Sequence, residues 1–231
     1  MPRGRSRQGA ALGAIFVLLL AAPAAGPAAL IHVSSANCRP LDSKTLASDR
    51  RGRIYSRPLR GPSAEQDPEG VRVVGCLFRP THLVMLGTTR YVSTQYPAKE
   101  TINPEVAAIA APFAAYSTSF QGVDFNRVWA VVRNLRTDQV INVVPASPHV
   151  GVEPVSSITD LTVTASATVA WISQGRSLAG RRRNAEVAFS VPGQPTTILD
   201  EGDGIDPHSL ELEGSTLTWI DEGTRRSASM P

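Results

Sequence analysis

The chain has 231 residues, 42% of them hydrophobic and 19% charged, with a formal charge of +3. That balance excludes intrinsic disorder and a supercharged surface. Its 18 Gly and 18 Pro show no Gly-X-Y period, which excludes collagen and marks a turn-rich, all-β chain.

Residues 1–29 read as a signal peptide, with a basic stretch at Arg3, Arg5 and Arg7, an apolar run from Ala10 to Ala22, and the small-residue tail APAAGPAA. The apolar run falls short of the roughly 20 residues a helix needs to cross a hydrocarbon core. Cleavage within 24–29 is therefore expected, and a retained anchor is the alternative. The three leader arginines carry the whole formal charge, so residues 30–231 are neutral. A basic chain seeking nucleic acid is thus not expected, and contact with a membrane is expected only through an uncleaved leader.

Residues 30–231 read as one all-β domain. It opens with the strand LIHVSS at 30–35, followed by Cys38, and Cys76 is the second cysteine. An even pair in an exported chain reads as one disulfide, Cys38–Cys76. Closing a loop of that length contributes about 4 kcal/mol by chain-entropy reasoning. Ser35, Ala36 and Asn37 do not make a lipid-attachment motif at Cys38, and two cysteines without a CxxC or a spaced His pair cannot complete a metal shell.

Further along, VRVVGCLF at 71–78 opens a hairpin that extends to 88. EVAAIAAPFAAYS at 105–117 reads as two short strands turning near Ala111 and Pro112, because Pro112 would cost about 3 kcal/mol inside a helix. Residues 128–144 form a hairpin through NLRTD, and 185–200 another through VPGQP. Between TVAWI at 168–172 and the hairpin at 185–200, Arg176, Arg181, Arg182 and Arg183 make the densest basic patch, with Arg181, Arg182 and Arg183 the candidate binders of a phosphate, an acidic glycan or an anionic partner. No aromatic residues interleave there, as a nucleic-acid platform requires.

Four stretches repeat one form: TLASDRRGRIYS, VAAIAAPFAAYS, LTVTASATVAWI and LELEGSTLTWI. Their closing aromatics Tyr55, Tyr116, Trp171 and Trp219 are spaced by 61, 55 and 48 residues, and a second hairpin follows each of the first three. Two hairpins per unit is the content of a four-stranded propeller blade. The predicted fold is a small or incomplete β-propeller-like repeat of about four units, with an irregular β-sandwich as the alternative. If the strand at 30–35 completes the last unit, a ring closes and both edges vanish.

The pieces VAWI, LDEGDGID, SLELEGSTLTW, CRP and VVGCLF resemble the corresponding parts of uncharacterised exported proteins of high-GC bacteria that carry TolB-like or related β-propeller repeats. The resemblance touches about two thirds of the mature chain, and each piece is a scaffold motif. It implies a fold and an extracytoplasmic address, with no activity attached.

Catalytic motifs such as GxSxG, the P-loop, HExxH and GxGxxG are missing from the sequence. The histidines His32, His82, His149 and His208 are scattered singletons. Asp200, Glu201, Asp203 and Asp206 suggest a cation loop, yet Gly202 and Gly204 stand where further carboxylates would be needed, so a solvated turn with a bend at Asp206–Pro207 is expected. No catalytic residue, metal site or cofactor is therefore assigned. The expected role is an exported, non-catalytic binding or interaction module for a protein or glycan of the cell envelope. The alternatives are a secreted hydrolase of polysaccharides or esters, acting through dispersed carboxylates or serines, and a structural envelope protein.

Overall fold

A computed structural model of the chain describes residues 38–61, 70–89, 100–121, 126–146, 155–176 and 183–231, so the leader and the strand expected at 30–35 lie outside the described residues. The described residues hold fifteen strands and no α-helix. They form four successive antiparallel meanders. The first contains β1 (Lys44–Ser48), β2 (Gly52–Pro58), β3 (Val71–Phe78) and β4 (Thr81–Thr89). The second contains β5 (Glu100–Ala110), β6 (Phe113–Gln121), β7 (Asn126–Asn134) and β8 (Gln139–Pro145). The third contains β9 (Val155–Val163), β10 (Val169–Arg176), β11 (Arg183–Ser190) and β12 (Thr197–Gly202). The last has three strands, β13 (Glu211–Glu213), β14 (Thr216–Asp221) and β15 (Thr224–Ser229). One parallel bridge, Asn126 to Val155, joins the second and third sheets along an edge.

Successive strand residues point to opposite faces, and this period assigns the core. On β6, Ala115 faces the third sheet while Ala114 and Tyr116 face the first. On β10, Val169 and Trp171 face the second sheet while Ala170 and Ile172 face the fourth. The middle sheets are therefore apolar on both faces, and the four sheets pack face to face in chain order with one core in each gap. The aligned aromatics share one role. Each sits on the second strand of its sheet, is at most 4% exposed, and (Tyr116, Trp171 and Trp219) packs toward the preceding sheet. Tyr55 has no preceding sheet; it is buried with Val74 under Cys38 and Cys76. Where sheets come closest, side chains must be small. A Cβ on Gly75 would lie 2.4 Å from Leu135, which is itself fully buried between the first two sheets.

The edges repeat as well. In the first three sheets the register slips only in the first and last strands: at Leu46 in β1, at residues 104–106 in β5, at Thr159 in β9, and at Leu86, Ile141 and Leu199 in β4, β8 and β12. Such bulges bend an edge away from further pairing. In the fourth sheet the first strand is split, with Ile205 bridging Asp221 and β13 pairing further along β14.

Polar links also fasten each pair of sheets. The Asp49 carboxylate accepts the Gly52 and Ala111 N–H groups, both at 2.7 Å, tying the β1–β2 turn to the β5–β6 turn. The Asn142 amide donates to the Ser190 hydroxyl at 3.1 Å across the next gap.

The hairpins expected at 71–88, 128–144 and 185–200, and the turn at Ala111–Pro112, are all present. Ring closure is not: the described sheets form an open row. The outward face of the first sheet is covered by the chain itself. Cys38 is disulfide-bonded to Cys76 with a Cα–Cα distance of 5.7 Å, and the Arg53 guanidinium donates to the Cys38 carbonyl (2.8 Å), Thr45 (2.8 Å) and Ser43 (3.2 Å) while lying over the Tyr55 ring. Burial lowers the Arg53 pKa, with Arg39 adding to the effect. The outward face of the fourth sheet carries Glu211, Glu213, Thr216, Thr218, Ile220 and Arg225, a polar surface of the kind that ends a stack of repeats.

Trp171→Ala is expected to lower unfolding free energy by about 3–5 kcal/mol, whereas Ile220→Ala should change it by no more than about 0.5 kcal/mol; denaturant titration of both variants checks this contrast. Replacing Cys38 and Cys76 together by Ala should cost about 2–5 kcal/mol in the same measurement.

Candidate functional site

A cluster of titratable and hydroxyl side chains lies where the third sheet hands over to the fourth. Asp160 stands on β9 beside the bulge at Thr159 and turns toward the segment that enters β13. One of its carboxylate oxygens accepts the Leu161 N–H at 2.9 Å and the other the Leu210 N–H at 3.0 Å. Burial raises its pKa, although those two N–H donors and nearby His208 pull the other way. His208 is exposed, with Nδ1 3.1 Å from the Thr159 carbonyl oxygen. The Ser209 hydroxyl donates to the Asp206 carbonyl at 2.8 Å and accepts the Ile220 N–H at 2.9 Å. Serine, histidine and aspartate thus lie close together, with each polar atom named here engaged by the backbone. The geometry holds two sheets together.

The acidic run is distributed in the same way. Asp200, on β12, accepts the Trp219 indole N–H at 2.7 Å and so fixes the largest aromatic of the fourth sheet. Asp206 caps its own turn by accepting the His208 N–H at 3.0 Å, as the Asp–Pro bend predicts. Glu201 and Asp203 are exposed. After Asp203, Gly204 lets the turn approach β14 closely: a Cβ there would lie 2.5 Å from the Glu222 side chain and 2.9 Å from the Asp221 carboxylate. Among the described residues no three His, Cys, Asp or Glu side chains are placed to hold a metal ion, and no helix is long and apolar enough to cross a membrane.

Of the basic candidates, Arg181 and Arg182 lie outside the described residues, and Arg183 is the first residue of β11, its side chain also outside them. His82 is exposed on β4, while His32 and His149 lie outside the described residues. Sequence reasoning missed Asp49, Arg53 and Asp160. Asp160 had a signal, a lone carboxylate inside the β-branched run ITDLTV.

The topology also separates the two ends of the sheets. The turn between Asp49 and Arg51, the Ala111–Pro112 turn, residues 135–138, residues 164–168 and residues 191–196 close one end tightly. At the other end β2 leads to β3, β4 to β5, β6 to β7, β8 to β9 and β10 to β11, each through a connection that includes residues outside the description: 62–69, 90–99, 122–125, 147–154 and 177–182. The Asp49–Ala111 contact and the Asn126–Val155 bridge set the first three sheets in the same sense, so these connections leave from one side. No protein-family model matches the chain, and no curated protein matches it significantly.

Asp160→Ala is expected to cost about 1–3 kcal/mol, because two amide donors lose their acceptor. Its pH dependence has a fixed sign. With the folded pKa raised above 3.8, the stabilisation Asp160 supplies is fullest below that value and declines as pH rises through the folded pKa. The stability advantage of the parent over Asp160→Asn should therefore shrink with rising pH in parallel denaturant titrations.

Proposed function

We propose that the chain is an exported, non-catalytic binding module in which four propeller-like sheet units carry a ligand-contacting side formed by the strand ends from which the long connections leave. That one-sidedness is the observation that supports the reading. Binding residues concentrate on loops held by a rigid frame, and here the three longest connections between strands, at 59–70, 90–99 and 146–154, leave from one end. Of the side chains that a catalytic reading would recruit, Asp200 and His208 link the third and fourth sheets, while Asp206 and Ser209 brace the turn that enters the fourth. Residues 1–29 act as a cleaved signal peptide in this reading, and the Cys38–Cys76 disulfide suits an oxidising, extracytoplasmic location.

The partner is a protein or glycan of the cell envelope, with an anionic group meeting Arg181, Arg182 and Arg183 at the connection between β10 and β11. No nucleic acid and no cofactor enter the reading. An array of acidic glycans and envelope polymers, probed with the purified protein, is expected to give at least one saturable ligand. Replacing all three arginines by Ala should weaken that binding by about tenfold or more, the scale of one charge-assisted contact. Uniform absence of binding, or turnover of a chromogenic ester or glycoside that a single serine or carboxylate substitution abolishes, would contradict it.

A further inference from the structure

The fourth sheet breaks the pattern of the other three in a specific way. In those, the third strand (β3, β7 or β11) is regular on its outer side and is covered by a fourth strand that carries a bulge. Among the described residues the fourth sheet stops at its third strand. β15 pairs with β14 in unbroken register from Thr216–Ser229 to Asp221–Thr224 and, among the described residues, has no partner on its other side. Edge strands elsewhere are bent by a bulge or, like β13, are three residues long and carry Glu at both ends. β15 is six residues long and regular.

Its hydrogen-bonding groups can be assigned. The Met230 N–H donates to the Ser215 carbonyl at 2.7 Å, on the β14 side. Directions alternate along an antiparallel strand, so Thr224, Arg226 and Ala228 also bond toward β14. The N–H and C=O groups of Arg225, Ser227 and Ser229 therefore face the open edge. Arg225 stands on the polar face and Arg226 on the opposite one, with side chains 58% and 55% exposed. The Arg225 bridge to Glu211 (2.7 Å) is a surface pair that contributes little and yields readily to another carboxylate, and the Arg226 bridge to Asp221 (3.1 Å) leaves the guanidinium more than half exposed. The same two charges oppose pairing of β15 with a second copy of itself.

We propose that the β15 edge takes up an extended segment of a partner protein as a fourth strand, selecting one with adjacent acidic residues that meet Arg225 on one face and Arg226 on the other. Main-chain bonds to residues 225, 227 and 229 supply affinity and the two arginines supply selection, as in other strand-addition complexes. The site is independent of the ligand-contacting side proposed above.

The test uses the purified full chain and fluorescent hexapeptides, Thr-Val-Glu-Glu-Val-Thr against the same peptide with Lys in place of both Glu. Saturable binding of the Glu peptide, with the Lys peptide about tenfold weaker or worse, is the expected result. Ser227→Pro removes an outward N–H at an edge position where proline is tolerated, and should abolish binding with the melting temperature unchanged. Should that variant fold poorly, Arg225→Glu with Arg226→Glu is expected to reverse the preference between the two peptides. Equal binding of both peptides, binding unaffected by Ser227→Pro or by the charge reversal, or no binding would overturn the proposal. So would binding that emerges only after residues 1–37 are removed, or a dimer that Ser227→Pro dissociates, since the edge would then belong to the chain itself or to a second copy.

Discussion

Everything in this fold follows from one constraint, that the two middle sheets are apolar on both faces. A sheet of that kind cannot meet water on either side, so it must be covered twice. Consecutive buried residues such as Ala114, Ala115 and Tyr116, or the run Val169 to Ile172, impose the constraint, because neighbours on a strand point in opposite directions. The first and fourth sheets supply the outer covers. Their own outward faces then have to be ended, one by the disulfide-pinned segment around Cys38, the other by a polar surface.

Much of this is legible in the sequence. The four aromatics mark the second strand of each sheet: Tyr116, Trp171 and Trp219 fill the gap to the preceding sheet at the same place each time, and Tyr55 fills the space under the disulfide-pinned segment. The hairpins follow from β-branched runs broken by turn residues, and Pro112 excludes a helix through the alanine-rich stretch around it. The polar end face could also be read in LELEGSTLTWI, where Glu211, Glu213, Thr216 and Thr218 alternate with Leu212, Leu217 and Trp219.

Other features left no such trace. Ring closure follows from a count of strands, and a count does not show that the face a closing sheet would occupy is already covered by Cys38 and Arg53. Bulges depend on register between strands, which composition does not encode. Asp49 looks like an ordinary turn residue, and its bond to Ala111 joins residues 62 positions apart. The acidic run at 200–206 invites a ligand reading because like residues adjacent in sequence suggest a shared site; on β12 the strand period sends Asp200 and Glu201 to opposite faces, and Asp206 caps its own turn.

Tryptophan fluorescence quenching tests the central claim most directly. With Trp129 replaced by Phe, the remaining tryptophans Trp171 and Trp219 each lie in a gap between sheets, 0% and 4% exposed. Acrylamide should quench both far less in the native protein than in urea. Native emission as accessible as that of the unfolded chain, from either residue, would contradict a row of sheets sealed face to face.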